Sequence, residues 1–266
     1  MPSPFVLTVS NRKGGTGKTT TVVNLAAEWA SRGLRTLVVD LDTQGHAGLG
    51  LGVSPAKGAP CAHHLFRRPD FDLSSAISPT PYANLWCVPA DTLFDGEGAL
   101  AGDDLLARQV RHGVVAQRFD AVILDTPPSL SQLLTNAMSA ADAALIPLLP
   151  HALGAEGVRQ LSRLFFRVAS RGNSTLQRMC LLPVMVNNRI NHHREVLEQV
   201  ARQFGQEKML RGIRSDIALA EAFAAGRPVK VFSPRSRAAM DYFLLADELP
   251  QLWRLPRPFF QQKAHV

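Results

Sequence analysis

The chain is poor in cysteine and in polar aromatics: its 266 residues include three Cys, three Trp and only two Tyr. Cys61, Cys87 and Cys180 are widely spaced and odd in number. That excludes a disulfide framework and a thiol-ligated metal site, and it points to a reducing cytoplasm. No uninterrupted apolar run reaches the roughly 18 residues a membrane-spanning helix needs. The opening MPSPFVLTVSNRK lacks the basic-then-apolar build of a secretory signal. Internal repeats and an interdomain linker are also missing. The expectation is one domain over residues 1–250 and a tail over 251–266 rich in proline, aromatic and basic residues. With 46% apolar and 19% charged residues, the chain is not disordered, collagen-like or a coiled-coil rod.

Acidic residues are scarce in one half only. Residues 1–150 carry 11 basic and 13 acidic side chains, whereas residues 151–266 carry 18 and 9, so the surplus behind the net charge of +7 lies in the second half. Such asymmetry fits a polyanionic partner, with nucleic acid first and an anionic membrane surface second; arginine used for solubility is the plain alternative.

Short apolar runs alternate with helical spacing. Strands are expected at Phe5–Ser10, Arg35–Leu41, Asn84–Val88, Asp120–Asp125, Ala143–Leu149 and Cys180–Val186. Helices are expected at Thr20–Ser31, Leu100–Arg118, Ser131–Ala140, Glu156–Arg171, His192–Phe204, Asp216–Ala225 and Arg237–Leu249. Residues 43–82, with many Gly and Pro, are expected to be mostly loop. Strands this apolar, separated by helices, imply an α/β fold with a doubly wound, mostly parallel sheet covered on both faces.

Between the first strand and the first helix lies Lys13-Gly14-Gly15-Thr16-Gly17-Lys18-Thr19-Thr20. Its end satisfies the P-loop pattern G-x-x-x-x-G-K-[ST], while Arg12 occupies the first glycine position. Gly14, Gly15 and Gly17 permit a backbone that turns successive N–H groups toward one anion, and the helix N-terminus adds its unsatisfied donors. Lys18 reaches the β- and γ-phosphates in such a loop, and Thr19 offers a hydroxyl to Mg²⁺. Two carboxylates, Asp40 and Asp42, end the second strand at the edge where doubly wound sheets bind ligands; a helix-capping pair is the alternative reading.

The segment 13–20 resembles the KGGxGK[ST]T deviant Walker A motif of the ParA/MinD family of ATPases. Asp40–Gly45 resembles its D-x-D-P-Q-[GN] segment with Thr43 in place of proline, and Asp125-Thr126-Pro127-Pro128-Ser129 resembles its Walker B continuation. Looser matches run to about residue 249, among them Asn136-Ala137, Leu145-Ile146-Pro147 and Gly226-Arg227-Pro228. The resemblance implies ATP and Mg²⁺ as ligands and an ATP-dependent homodimer in which Lys13 contacts the nucleotide of the opposite subunit. It implies that Asp42 positions the attacking water, that Asp40 supports the Mg²⁺ shell, and that Asp125 holds Mg²⁺ through water beside Thr19. Lys13, Lys18 and Asp42 are thus the catalytic candidates. The family's adenine-contacting Pro and Asn are Arg214 and Asp216 here, and a second arginine used by some relatives for DNA is Ala218.

Arg159, Arg163, Arg167 and Arg171 recur every fourth residue on one expected helix, opposite an apolar face, and only Glu156 can offset one of them locally. With Arg189, Arg211, Arg235 and Arg237 they are candidates for phosphate contacts without base readout; a solvated arginine face is the alternative. The adjacent pairs His63-His64 and His192-His193 lack the spacing of helical metal ligands and are expected on loop surface. Pro256 and Pro258 interrupt any amphipathic tail helix, which argues against membrane binding of the MinD kind. The expected function is a cytoplasmic, nucleoid-associated ATPase that dimerises with ATP, binds DNA without sequence preference and positions a cargo. Hydrolysis would be stimulated by a ParB-like or other adaptor protein. The alternatives are a metabolic ligase of the same fold, similar to dethiobiotin synthetase, and a MinD-like membrane-positioned ATPase.

Overall fold

The computed structural model describes residues 3–255 apart from 57, 98, 130, 172 and 173; the rest of the expected tail, residues 256–266, lies outside the described residues. The chain order is β1 (Phe5–Val9), α1 (Lys18–Ser31), β2 (Thr36–Asp40), α2 (His46–Gly50), β3 (Ser78–Pro79), β4 (Leu85–Val88), α3 (Leu105–Arg111), α4 (Gly113–Arg118) and β5 (Ala121–Asp125). It continues with α5 (Gln132–Ala140), β6 (Ala143–Leu148), α6 (Ala152–Ala169), β7 (Arg178–Pro183), α7 (Asn191–Phe204), α8 (Ala218–Ala224), α9 (Val229–Phe232) and α10 (Arg237–Trp253). Short 3-10 turns lie at Ala62–Phe66, Leu73–Ala76 and Gln206–Lys208.

One seven-stranded sheet runs β3-β4-β2-β5-β1-β6-β7, parallel throughout except for the edge strand β3. The doubly wound, mostly parallel architecture expected from the sequence is the one observed. The period of two along each strand divides the core. Leu7, Val9, Ala121 and Ile123 face α1 and α10, whereas Val6, Val122 and Leu124 face α3, α5, α6 and α7. Burial on both faces is why these strands are mostly apolar, with Thr8, Thr36, Asp40 and Asp125 as buried exceptions. Because the strands are parallel, the loops leaving β1, β2, β5, β6 and β7 share one edge of the sheet.

Several boundaries differ from expectation, among them α6, which starts at Ala152, and β7, which runs Arg178–Pro183. The helix expected over Leu100–Arg118 is two helices, because Gly113 takes φ +62° at their junction and residues 100–104 form a loop pinned by Leu100 N–H donating to Phe66 C=O at 2.7 Å. The last helix continues through Pro250 to Trp253. A proline there removes one intrahelical donor, while packing of the buried Trp253 against Phe5, at 5.6 Å between ring centroids, holds the last turn in place. The edge strand β3 and the short helix α9 had no periodic signal long enough to read.

Candidate functional site: a phosphate loop beside three carboxylates

β1 delivers the chain to the carboxyl edge, and the loop from Ser10 to Gly17 turns it into α1. Gly15 and Gly17 adopt φ of +71° and +72°, a region where a side chain would be strained. α1 has no side-chain cap and no acidic residue in its first turn, so its terminal N–H groups and positive dipole end stay available to an anion. Two contacts set the loop's shape. Asn11 accepts from Lys13 N–H at 3.0 Å through Oδ1 and donates to Pro147 C=O, which ties the loop to the exit of β6. The Thr16 hydroxyl donates to Lys13 C=O at 3.1 Å. Beneath them Thr8, Ser10 and Thr126 form a buried hydroxyl cluster, with Ser10 Oγ 3.0 Å from both partners.

Lys18 is buried, and its ammonium makes only a long contact, 3.4 Å, to Lys13 C=O. Burial lowers its pKa, and the charges of Asp125 and Asp42 partly offset the shift. A cation held this loosely fits the phosphates of a nucleotide.

The three carboxylates differ sharply. Asp40 and Asp125 are cross-strand neighbours in the β2–β5 register, both fully buried. Asp40 Oδ1 accepts from Asp42 N–H at 3.1 Å, and Oδ2 accepts from Ala47 N–H at 2.9 Å and Gly48 N–H at 3.3 Å. Burial and the neighbouring Asp125 push its pKa well above the usual carboxylate range. Its oxygens accept from the backbone that shapes the Asp42 loop and the start of α2, beside Asp125 on the next strand. Asp125 is the opposite case. Among the described residues neither of its oxygens has a well-aligned hydrogen bond, and burial pushes its pKa up to about 7, with the nearby Thr19 hydroxyl, the Lys18 charge and Thr126 N–H opposing the shift. A buried carboxylate so weakly satisfied, beside a threonine hydroxyl, fits a magnesium shell completed by water and phosphate oxygens. Among the described residues no group of three or more His, Cys, Asp or Glu could hold a metal, so an ion here must take ligands outside that set.

Asp42 accepts from Gln44 N–H at 3.1 Å through Oδ1; its Oδ2 carries no hydrogen bond among the described residues. It opens onto a cleft of about 600 Å³ with Gly14, Gly15, Thr16, Gly17, Lys18, Thr19 and Thr20 on one wall. Thr43, Gln44, His46, Pro127, Pro128, Ser129 and Phe223 complete it. Sequence reading missed His46 and Phe223, whose rings meet edge to face at 5.7 Å, because the second comes from α8 and only the fold brings it there. Lys13 does not line its own cleft. It lies close to His151, whose protonation is disfavoured by burial and then by the Lys13 charge.

Other candidates are placed elsewhere. Arg214 grips Asp241 of α10, with Nε and Nη2 on the carboxylate at 2.7–3.1 Å, and Asp216 accepts from Ala218 and Ala238 N–H groups at 3.1 Å each. Both residues anchor α8 and α10, and neither is among the residues that line the cleft. The candidate DNA arginines are all exposed but do not share a face. Arg159, Arg163 and Arg167 ride on α6 on one side of the sheet. Arg235 and Arg237 mark the start of α10 on the other side, Arg211 lies beside Glu248 of α10, and Arg189 sits on the carboxyl edge. Arg159 pairs with Glu156, and Arg171 pairs with Asp103 at 2.8 Å, a partner distant in sequence. His63, expected on the surface, is 1% exposed. Among the described residues no helix is long and apolar enough to cross a membrane.

The comparisons agree with this geometry. A family model described as an AAA domain matches residues 5–178. The chain is 35% identical over 253 residues to the sporulation initiation inhibitor protein Soj of Bacillus subtilis, covering 92% of this chain and 97% of that one. It is 34% identical over 247 residues to the chromosome partitioning protein ParA of Myxococcus xanthus, covering 92% and 87%. Among solved structures, cobyrinic acid a,c-diamide synthase from Mycobacterium smegmatis with bound ADP and magnesium superposes with a TM-score of 0.78 at 30% identity, covering 95% and 96%. A phosphate loop opening α1, a buried strand-end carboxylate beside it, and relatives alike over almost their whole length lead to one assignment: the chain belongs to the ParA/MinD family of P-loop ATPases.

Proposed function

We propose that this protein is a ParA-type positioning ATPase that binds ATP with Mg²⁺, pairs with a second copy, holds DNA without reading its sequence and releases it on hydrolysis. The observation that carries the reading is the position of Lys13: the motif's first lysine stands outside the cleft that Lys18, Asp42 and Asp125 share. The N–H groups of residues 14–19 and Lys18 bind and orient the phosphates. Thr19 and Asp125 hold the magnesium ion, which when bound neutralises charge on the phosphate oxygens. Asp42 orients the attacking water through the oxygen that Gln44 leaves free. Lys13 completes the cradle of the opposite subunit, where a cation meets developing phosphoryl charge. Pairing doubles the arginines offered to one duplex, which steepens affinity and salt dependence. Nucleoid association and a cargo adaptor that stimulates hydrolysis follow from the same scheme.

Light scattering and titration of random duplex DNA, each with ATP, ADP and no nucleotide, test it. Dimers and DNA binding only with ATP, both lost in Lys13→Gln, support the scheme; equal binding in all three states overturns it. The similarity to cobyrinic acid a,c-diamide synthase favours a second reading, an ATP-dependent ligase acting on a small carboxylic acid. That reading expects turnover to depend on such an acid and an amine donor, and to ignore DNA.

A further inference from the structure

His63 lies in the loop-rich stretch between β2 and β4, outside every recognised motif, yet it is buried at the junction of the two strand exits. Its Nδ1 accepts from Asp91 N–H at 2.9 Å, which leaves the proton on Nε2, 3.3 Å from the carbonyl of Leu41. Leu41 is the residue between Asp40 and Asp42, and its own N–H donates to Asp125 C=O at 2.9 Å. Both backbone groups of Leu41 are therefore fixed, one by the magnesium-site strand and one by this imidazole. The ring is itself held flat against Phe94, at 4.5 Å between centroids, and Arg67 covers Phe94 at 4.8 Å while pairing with Asp91 and Asp95. Packing alone does not require a histidine here: an apolar side chain would pack on Phe94 as well, but it would leave Leu41 C=O and Asp91 N–H without this partner.

We propose that His63 is a positioning residue for hydrolysis: by bridging Leu41 C=O and Asp91 N–H it fixes the peptide that leads into Asp42, and so aims the carboxylate that orients the attacking water. The inference rests on the reading of Asp42 given above. The geometry explains why the role is separable from binding. His63 touches none of the residues lining the phosphate wall, so its loss misaims Asp42 without emptying the cradle. Gln offers the same donor and acceptor on a longer, less rigid chain; Leu offers neither.

Single-turnover ATP hydrolysis and nucleotide affinity, measured for Asp42→Ala, His63→Leu, His63→Gln and the Asp42→Ala/His63→Leu double variant, decide the matter. Asp42→Ala should slow hydrolysis by about 100-fold. His63→Leu should slow it by about 10-fold with nucleotide affinity changed less than about 2-fold, and His63→Gln should restore most of the rate. In the Asp42→Ala background His63→Leu should add no further loss, since a positioning residue has nothing left to aim. Normal turnover in Asp42→Ala overturns the Asp42 reading itself. If Asp42→Ala is slow while His63→Leu turns over normally, weakens binding instead, or adds its full loss in the double variant, the positioning role falls and the Asp42 reading stands. Should His63→Leu fail to fold, His63→Gln and its double with Asp42→Ala carry the same comparison: rates additive with Asp42→Ala overturn the proposal.

Discussion

The ends of β2 and β5 lie side by side in register, and each ends in a buried aspartate, yet they do opposite work. The β2 end is saturated: Asp40 takes three backbone N–H groups and is the post around which the Asp42 loop and α2 are wound. The β5 end is poorly served: among the described residues neither oxygen of Asp125 has a well-aligned hydrogen bond, with Thr19 and Thr126 as its nearby donors. Residue type and depth are equal, so neither decides which aspartate serves a ligand. What decides is whether the neighbouring backbone has turned inward to meet it. A saturated carboxylate contributes to folding, whereas an unsatisfied buried one opposes folding until a cation reaches it.

That contrast can be broken from either side. The largest effect belongs to Asp125→Asn, which should lower magnesium-dependent ATP affinity by about 100-fold or more while leaving metal-free thermal stability unchanged or raised, as calorimetry and nucleotide titration will show. Asp40→Ala should do the reverse. It strands three buried N–H groups, so urea unfolding should lose about 3 kcal/mol, with magnesium retained at protein concentrations where the fold survives.

Acid sharpens the contrast through His63. Burial lowers its pKa to about 4, below the ordinary value near 6.5 that it regains on unfolding. The neutral ring is the folded form, so its stabilisation is fully present above about pH 6.5 and is lost as pH falls toward 4, by up to about 3 kcal/mol. The difference in unfolding midpoint between the wild type and His63→Gln, measured from pH 7 to 4.5, should show this slope, because the raised Asp40 and Asp125 titrate in the opposite sense over the same window and cancel in the difference. The smallest effect is a control far from the site. Arg108→Ala breaks an exposed pair with Asp104 at 2.8 Å, and it should cost less than about 0.5 kcal/mol in the same urea assay.

The phosphate loop was legible because its chemistry is contiguous: Gly15, Gly17, Lys18 and Thr19 act through their own backbone and the first turn of their own helix. Strands β1, β2, β5 and β6 were legible because burial on both faces fills most of their positions with apolar residues. Illegibility has the opposite cause. Phe223 reaches the cleft from α8, and His63 is buried by Phe94, so neither is signalled by its own neighbours in the chain. The candidate arginines share a charge, but those at every fourth position ride on α6 while Arg235 and Arg237 lie at the start of α10 on the other side of the sheet, and no count along the chain reports which side a helix takes.

By itself the sequence determined the fold class, the family and the loop that can hold a phosphate, because hydrophobic period, glycine placement and helix ends are properties of short stretches. Only the tertiary structure decided which of Asp40 and Asp125 is ringed by backbone donors and which is not, and that a histidine from a glycine- and proline-rich stretch meets the peptide between Asp40 and Asp42. Hydrogen bonds between segments far apart in the chain exist only once the sheet has brought their ends to a common edge.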